Sequence, residues 1–439
     1  MKLERAKGTK DIIPEEKIVR QEVIDSLRSI FERYGFSPLE TPIIERFEVL
    51  SAKYAGGSEI LNETFKLKDQ GKRDLGLRYD LTVPFSRFIG MNPTIKMPFK
   101  RYQIGRVFRD GPIKTGRLRE FWQCDIDVVG TKNMIADAEI VKITQMFFKK
   151  IGLKVIVEVN NRKLLDGLMD DLSIPENKRD AVIVAIDKLK KVPIKDIEAE
   201  LAKKGINKEK VDKLFKILKT DGTNLQKLEK LRKILKSEKA IEGLNEIEDL
   251  LKYVDDKLKD AKVVFAISLA RGLSYYTGTV FEAFMAEKLP GQKDLFKSSL
   301  CGGGRYDNMI GDFLGGNREF PAVGISFGIE PISVMMKENP SKLVKKTVTE
   351  IYVIPIPFDQ CAVKAAKIVE ELRNAGLKVD MDLSGRGISK NLNYANAYNI
   401  PYVLFVGEEE LKKKKFKLKD MVEGKEVFLD VNGILKKLS

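Results

Sequence analysis

The chain has 439 residues, 43% of them hydrophobic and 33% charged, with a formal net charge of +15. That length supports two or three domains with complete cores, and no run approaches the roughly 20 apolar residues of a membrane helix. There is no histidine, which excludes a histidine general base, a Ser-His-Asp triad and His-ligated zinc.

Three widely separated cysteines (Cys124, Cys301, Cys361) form neither a disulfide framework nor a Cys-x-x-Cys pair. The basic excess suits a polyanionic partner through counterion release. A lysine-rich genome or a heat-adapted surface would give the same number. Residues 1–8 lack the apolar core of a secretion signal, so a cytoplasmic location is expected.

The first helix is predicted from Pro14. Val19, Val23, Leu27, Ile30, Phe31 and Tyr34 recur on one face, Glu15 and Glu16 occupy its first turn, and Gly35 marks its end. A short strand leads to Thr41-Pro42, followed by a helical segment to about Tyr54. Phe65–Lys68 and Leu75–Tyr79 flank Gln70-Gly71 as a hairpin, and Thr82 is expected to cap a short helix with Pro84 in its first turn. Two further strands, joined by a basic loop, lie between Arg101 and Asp127. Ile135–Ile151 is then amphipathic and stops at Gly152.

From about Asp171 to Asp260 leucines recur amid dense lysine and glutamate. Leu228, Leu231, Ile234 and Leu235 form one stripe, and Leu244, Ile247, Leu251, Val254 and Leu258 another. This reads as a helical module with its own core and few aromatics for base stacking. Strand texture returns at Val263–Ile267 and Gly278–Phe284, before Gly302-Gly303-Gly304 and the apolar Pro321–Phe327. One sheet interrupted by the helical module is therefore expected. Lys337–Thr347 reads as a linker. Ile351–Ile356, Ala362–Arg373, Val379–Met381 and Tyr402–Val406 then alternate strand and helix, arguing a small α/β domain with a mainly parallel sheet.

Four segments carry chemistry. In the first, Arg109 ends one strand, Lys114 and Arg117 occupy the loop, and alternation on the return strand puts Phe121, Gln123, Asp125 and Asp127 on one face. A guanidinium facing a polar, acidic floor suits a ligand bearing both a phosphate and a cation; alone, the segment has a second reading, a surface hairpin with a solvated loop. The second is Arg271-Gly-Leu-Ser274-Tyr275-Tyr276, poor core material whose tyrosines can wall a pocket and offer hydroxyls. The third, Asp80-Leu81-Thr82, stands where a strand turns into a helix. The fourth joins Gly302–Arg305 to Gly328-Ile-Glu330-Pro331: glycines permit close backbone approach, and helix starts favour anions.

The first segment resembles motif 2 of the class II aminoacyl-tRNA synthetases, specifically histidyl-tRNA synthetases of archaeal and eukaryotic type. The second resembles the signature that marks those enzymes, and the fourth resembles motif 3. The resemblance implies an α+β catalytic domain with a mainly antiparallel sheet (residues 1–170 and 261–338), a helical insertion (171–260) and a C-terminal α/β anticodon-binding domain (348–439). It implies histidine–tRNA ligase activity with L-histidine, ATP and tRNA(His) as partners, Mg2+ on the phosphates, and a homodimer built through motif 1, ending at Pro42. Arg109 and Arg271 would be catalytic; Arg109, Arg117 and Arg271 would bind ATP. Asp80, Leu81, Thr82, Gln123, Asp127, Tyr275 and Tyr276 would bind histidine, with no resident metal site.

Two departures stand out. Ser274 replaces an aspartate common among such enzymes, and Pro331 stands where class II enzymes place an arginine, leaving Arg305 or Lys114 to supply that charge. The alternative is the synthetase-like regulatory subunit of ATP phosphoribosyltransferase in histidine biosynthesis, which lacks the anticodon domain.

Overall fold

The structure, a computed structural model, describes the chain except residues 1, 53–58, 114–117, 191, 255–257, 271–274, 291, 293, 316–318, 340–344 and 439. The chain divides into two compact units, residues 1–11 with 22–340, and residues 12–21 with 341–439.

Helix α1 (Pro14–Arg33), which belongs to the first unit from residue 22 onward, leads to β1 (Ser37–Pro38) and β2 (Ile44–Arg46). Val23, Leu27, Ile30 and Phe31 of α1 are fully buried, the face its periodicity marks. The short helices α2 (Phe47–Ala52) and α3 (Glu59–Asn62) precede the hairpin β3 (Lys66–Lys68) and β4 (Asp74–Leu77). Helix α4 (Thr82–Met91) follows at once. Its first turn is not capped by Thr82: the Asp80 carboxylate accepts the Val83 N–H at 2.9 Å. An aspartate holds this corner because its short side chain reaches an orphan N–H of the first turn.

The long pair β5 (Phe99–Phe108) and β6 (Glu120–Val129) is antiparallel. Helix α5 (Met134–Ile151) starts on an Asn133 cap and ends at Gly152 with φ 69°. Strand β7 (Val155–Asn161) then leads into α6 (Arg162–Asp171), α7 (Glu176–Asp187), α8 (Ile194–Lys203), α9 (Lys208–Leu218), α10 (Asn224–Ile234) and α11 (Glu238–Tyr253). Of the expected stripes Leu228, Leu231, Leu235, Leu244 and Ile247 are buried, whereas Ile234 is half exposed. Helices α6 and α11 cross in backbone contact. A Cβ on Gly167 would fall 2.2 Å from the Ala240 nitrogen, and one on Gly243 would fall 2.5 Å from that of Leu164.

The chain returns to the sheet as β8 (Ala261–Phe265), β9 (Thr279–Met285) and β10 (Cys301–Arg305); α12 (Met309–Phe313), β11 (Ala322–Gly328) and α13 (Ile329–Glu338) complete the unit. The sheet has eight strands in the order β1-β5-β6-β11-β10-β9-β7-β8. Its centre is antiparallel; β1 on β5 and β8 on β7 are parallel. One face packs on α1 and α5 through Phe31, Phe147, Phe148 and Phe327. The single sheet interrupted by helices is as expected. Two strands were not: β7, and β10, whose glycine run carried no strand assignment.

The second unit contains β12 (Ile351–Ile356), α14 (Phe358–Asn374), β13 (Val379–Met381), α15 (Ile388–Ala397), β14 (Tyr402–Gly407), α16 (Glu408–Lys413), β15 (Phe416–Asp420), β16 (Glu426–Leu429) and α17 (Val431–Leu438). Its sheet runs β13-β12-β14-β15-β16. The expectation of a mainly parallel sheet needs correction. β13, β12 and β14 are parallel, but β15 and β16 extend the sheet antiparallel.

Candidate active site

The face of the large sheet away from α5 carries a cavity of about 480 Å³, a size suited to a small organic ligand. Strand β6 supplies its floor. Gln123, Asp125 and Asp127 line it, while Cys124 and Ile126 point into the core. That is the alternation a pleated strand imposes.

The neighbouring strands give up side chains to make room. Gly304 on β10 and Gly324 on β11 sit beside Asp127 in the register. A Cβ on Gly324 would fall 2.0 Å from Asp127 Oδ1 and 2.6 Å from the Ile126 carbonyl; one on Gly304 would fall 2.5 Å from the Thr279 carbonyl and 2.8 Å from the Tyr276 ring. Glycine at these two positions lets a carboxylate and an aromatic ring lie across the strands. Gly324→Ala is expected to destabilise the first unit by about 1–3 kcal/mol, checked by chemical denaturation, because a backbone oxygen cannot rotate away; unchanged stability would disprove the crowding.

Asp127 is held from two sides. The Tyr306 hydroxyl donates to Oδ1, and Arg101 Nη2 lies 2.6 Å from Oδ2. Arg101 is itself fully buried, 4.3 Å above the Phe85 ring, and donates to the Leu81 carbonyl at 3.3 Å. Burial and the Asp127 charge push the Tyr306 phenol well above its ordinary range. Tyr275 and Tyr276 form one wall, hydroxyl to hydroxyl at 3.2 Å with ring centroids 4.4 Å apart.

Across the cavity stand Asp80, Thr82 and Arg109. Arg109 Nε donates to the Tyr79 carbonyl at 3.0 Å, and its guanidinium lies 5.2 Å from the Phe121 ring. A guanidinium fixed at Nε still presents the fork that suits phosphate or carboxylate. Thus Asp80, Thr82, Arg109, Gln123, Asp127, Tyr275 and Tyr276 meet in one cavity, the grouping that the resemblance implies. Leu81 does not join them: its side chain is fully buried, and its contribution is the carbonyl that holds Arg101. Arg117, Lys114, Arg271 and Ser274 lie outside the described residues.

Arg305 is not available to a ligand. Its side chain is 3% exposed, bonded to Asp137, to Asp307 at 3.3 Å and to the Thr131 carbonyl at 3.0 Å. The expectation that it replaces a phosphate-binding arginine is overturned, because its charge is already neutralised by two buried carboxylates. Pro331 sits in the first turn of α13, where its fixed φ fits. The preceding Glu330 turns back to accept the Trp122 N–H at 3.1 Å.

Two lining carboxylates had no assigned role in the sequence. Asp125 carried an alternation signal. Asp187, at the end of α7, lies in a helix without motif, and nothing local marks it. Burial pushes the Asp125 carboxyl up to about 7, helped by the charges of Asp127 and Asp80 and opposed by Arg101 and the Ser326 hydroxyl.

A family model described as histidyl-tRNA synthetase matches residues 8–332, and one described as anticodon binding domain matches residues 350–439. The chain is 41% identical to histidine–tRNA ligase 1 of Bacillus cereus, over 99% of both chains. It is 38% identical to the cytoplasmic histidine–tRNA ligase of Oryza sativa, over 97% of this chain and 53% of that one. The structure of histidyl-tRNA synthetase from Nostoc sp. PCC 7120 superposes with a TM-score of 0.86 at 31% identity, covering 100% of this chain and 99% of that one. A Bacillus halodurans structure titled as an ATP phosphoribosyltransferase regulatory subunit/histidyl-tRNA synthetase shares the fold, with a TM-score of 0.74 at 21% identity over 93% of this chain and 99% of that one. The match spans the catalytic sheet, the helices set into it and the C-terminal domain together, and the chain belongs to the histidyl-tRNA synthetase family.

Proposed function

We propose that this histidine–tRNA ligase activates L-histidine at the cavity over β6 and transfers it to tRNA(His). In this reading Asp80 and Thr82 receive the α-ammonium group, Gln123 stands at the carboxylate side, and Asp127 with Tyr275 and Tyr276 reads the imidazole. Arg109 binds the ATP α-phosphate, with Arg271 and Arg117 assigned to ATP by the motifs they belong to. Magnesium arrives as part of the substrate, Mg·ATP. Among the described residues no group of three or more carboxylates or cysteines is set to hold an ion.

A histidine carboxylate oxygen attacks the α-phosphorus, the bond to the β-phosphate oxygen breaks, and pyrophosphate leaves with the displaced negative charge. Arg109 stabilises the charge building on the α-phosphoryl oxygens. The terminal ribose hydroxyl of the tRNA then attacks the adenylate carbonyl and AMP leaves. With no histidine in the chain, the hydroxyl proton passes to a phosphate oxygen of the adenylate itself.

Residues 1–170 with 261–338 form the catalytic domain in this proposal, 171–260 the insertion and 348–439 the anticodon-binding domain, in a cytoplasmic homodimer. No described helix is long and apolar enough to cross a membrane.

The observation that carries the assignment is the meeting of Arg109 with Asp80, Asp127 and the paired tyrosines in one cavity. A phosphate-binding cation and a set of acceptors for a nitrogenous ring lie within one ligand's length. Histidine-dependent ATP–pyrophosphate exchange, run beside the other amino acids, tests it; exchange with another amino acid alone would refute it. Charging of tRNA(His) separates a ligase from a regulatory subunit. Asp127→Asn keeps the shape but removes the charge, so the KM for histidine is expected to rise roughly tenfold or more. The KM for ATP should stay within about twofold, and equal losses for both would count against the imidazole role.

A further inference from the structure

Three side chains two residues apart, Gln123, Asp125 and Asp127, line the cavity floor. Asp127 already has the Tyr306 hydroxyl and the Arg101 guanidinium on its oxygens. Asp125 differs. It is 3% exposed, and its Oδ1 has no hydrogen-bond partner, nor has the Oε1 of Gln123 beside it. A buried carboxylate oxygen without a donor is rare in folded proteins and marks a place where something else supplies the hydrogen. Across the strands Asp125 faces Ser326 on β11, and beyond it Gly302 on β10, where no side chain covers the row.

The chemistry of the missing donor follows from what surrounds it. Asp80 is near enough for its charge to act on Asp125, so two carboxylates face the same space. A cation between them relieves their repulsion, and an ammonium group offers three N–H donors at once. We propose that Asp125 receives one N–H of the substrate's α-ammonium group through Oδ1, completing with Asp80 and Thr82 a set of three acceptors. This rests on the assignment of the cavity to histidine. The position of Asp125 between Gln123 and Asp127 puts it toward the amino end of that ligand, away from the tyrosine-walled ring site.

A consequence is coupling to protons. Burial and neighbouring carboxylates hold the empty site's Asp125 partly protonated near neutral pH. An ammonium ion favours the carboxylate form, so binding expels a proton and affinity falls as pH drops below about 7.

The test measures binding of L-histidine and of 3-(imidazol-4-yl)propionate, which lacks the ammonium group, to wild type and to Asp125→Asn between pH 6 and 8.5. For the variant at pH 8, histidine affinity is expected to fall roughly tenfold or more, with imidazolylpropionate affinity unchanged. The variant's low-pH loss should then follow the substrate imidazole alone. Unchanged histidine affinity overturns the proposal, as does equal loss for both ligands, which would place Asp125 at the ring. Wild type that binds neither compound refutes the histidine assignment itself. The variant's thermal transition, compared with wild type, shows that a loss of binding is not a loss of fold.

Discussion

Arg109→Ala is expected to slow histidyl-adenylate formation by roughly 100- to 1,000-fold, the usual consequence of losing one preorganised donor to a developing oxyanion. The side chain is set at the end of β5, anchored through Nε on the Tyr79 carbonyl and stacked near Phe121. Its charge is therefore in place before ATP arrives, and no reorganisation is needed as the α-phosphorus is attacked. The fold should survive, since the residue is only part-buried and, among the described residues, its side chain bonds to a carbonyl. Arg109→Lys, which restores charge without the planar fork, should recover only part of the rate. Pyrophosphate exchange within about twofold of wild type in the alanine variant would place the transition-state cation elsewhere.

Arg305→Leu should show the opposite pattern, with the fold weakened first. Asp137 is fully buried, and Arg305 is the cation that neutralises it. Breaking one half of a buried pair costs about 3–5 kcal/mol, which for a unit of this size lowers the melting temperature on the order of 10 °C. The pH dependence carries a sign. Burial already raises the Asp137 carboxyl above its ordinary value, with Arg305 opposing. Without Arg305 it rises further, so folded Asp137 stays protonated over a wider range than unfolded Asp137. Stability from the neutral form is fully present below the unfolded pKa and is lost as pH rises through the folded one. The variant's deficit in denaturant unfolding should thus be smaller at pH 5 than at pH 8; equal deficits would show that Asp137 is not left charged and alone.

What the sequence made legible was what depends on neighbours in the chain. Alternation on β6 put Gln123, Asp125 and Asp127 on one face, and the structure agrees because a pleat has no other option. Gly152 ends α5 with a positive φ, as its position past the last apolar residue implied. Local reasoning failed where the partner is distant. The Gly302–Gly304 run lies inside a central strand, against glycine's low strand propensity, because Tyr276 and the β9 and β11 backbones crowd it from either side. Nothing in the neighbourhood of Arg305 shows that Asp137, 168 residues earlier, will occupy it. Likewise Arg101, an unremarked strand residue, proves to hold Asp127 in place. The cap of α4 fell to Asp80 rather than Thr82 because the helix begins one residue after Leu81, which puts the aspartate three residues before the N–H it accepts.

The parallel pairing of β7 with β8 has a bearing on how this architecture can be shortened or re-equipped. Parallel neighbours cannot be joined by a hairpin; they demand a crossover of about a dozen residues or more. Helices α6 and α11 already make that crossover and are clasped at Gly167 and Gly243. At their far end the Asp171 carboxylate accepts the N–H groups of Lys236 and Ser237 at 2.8 and 2.9 Å. The stem is therefore closed at its tip, and within the segment it encloses α10 is tied to the sheet edge: Asn224 accepts the Phe265 N–H at 2.9 Å and donates to the Val263 carbonyl of β8 at 3.0 Å. The graft point is therefore α7 through α9: exchanging those helices as a cassette leaves the hydrogen bonds of β8 in place, and Asp187 would leave with them.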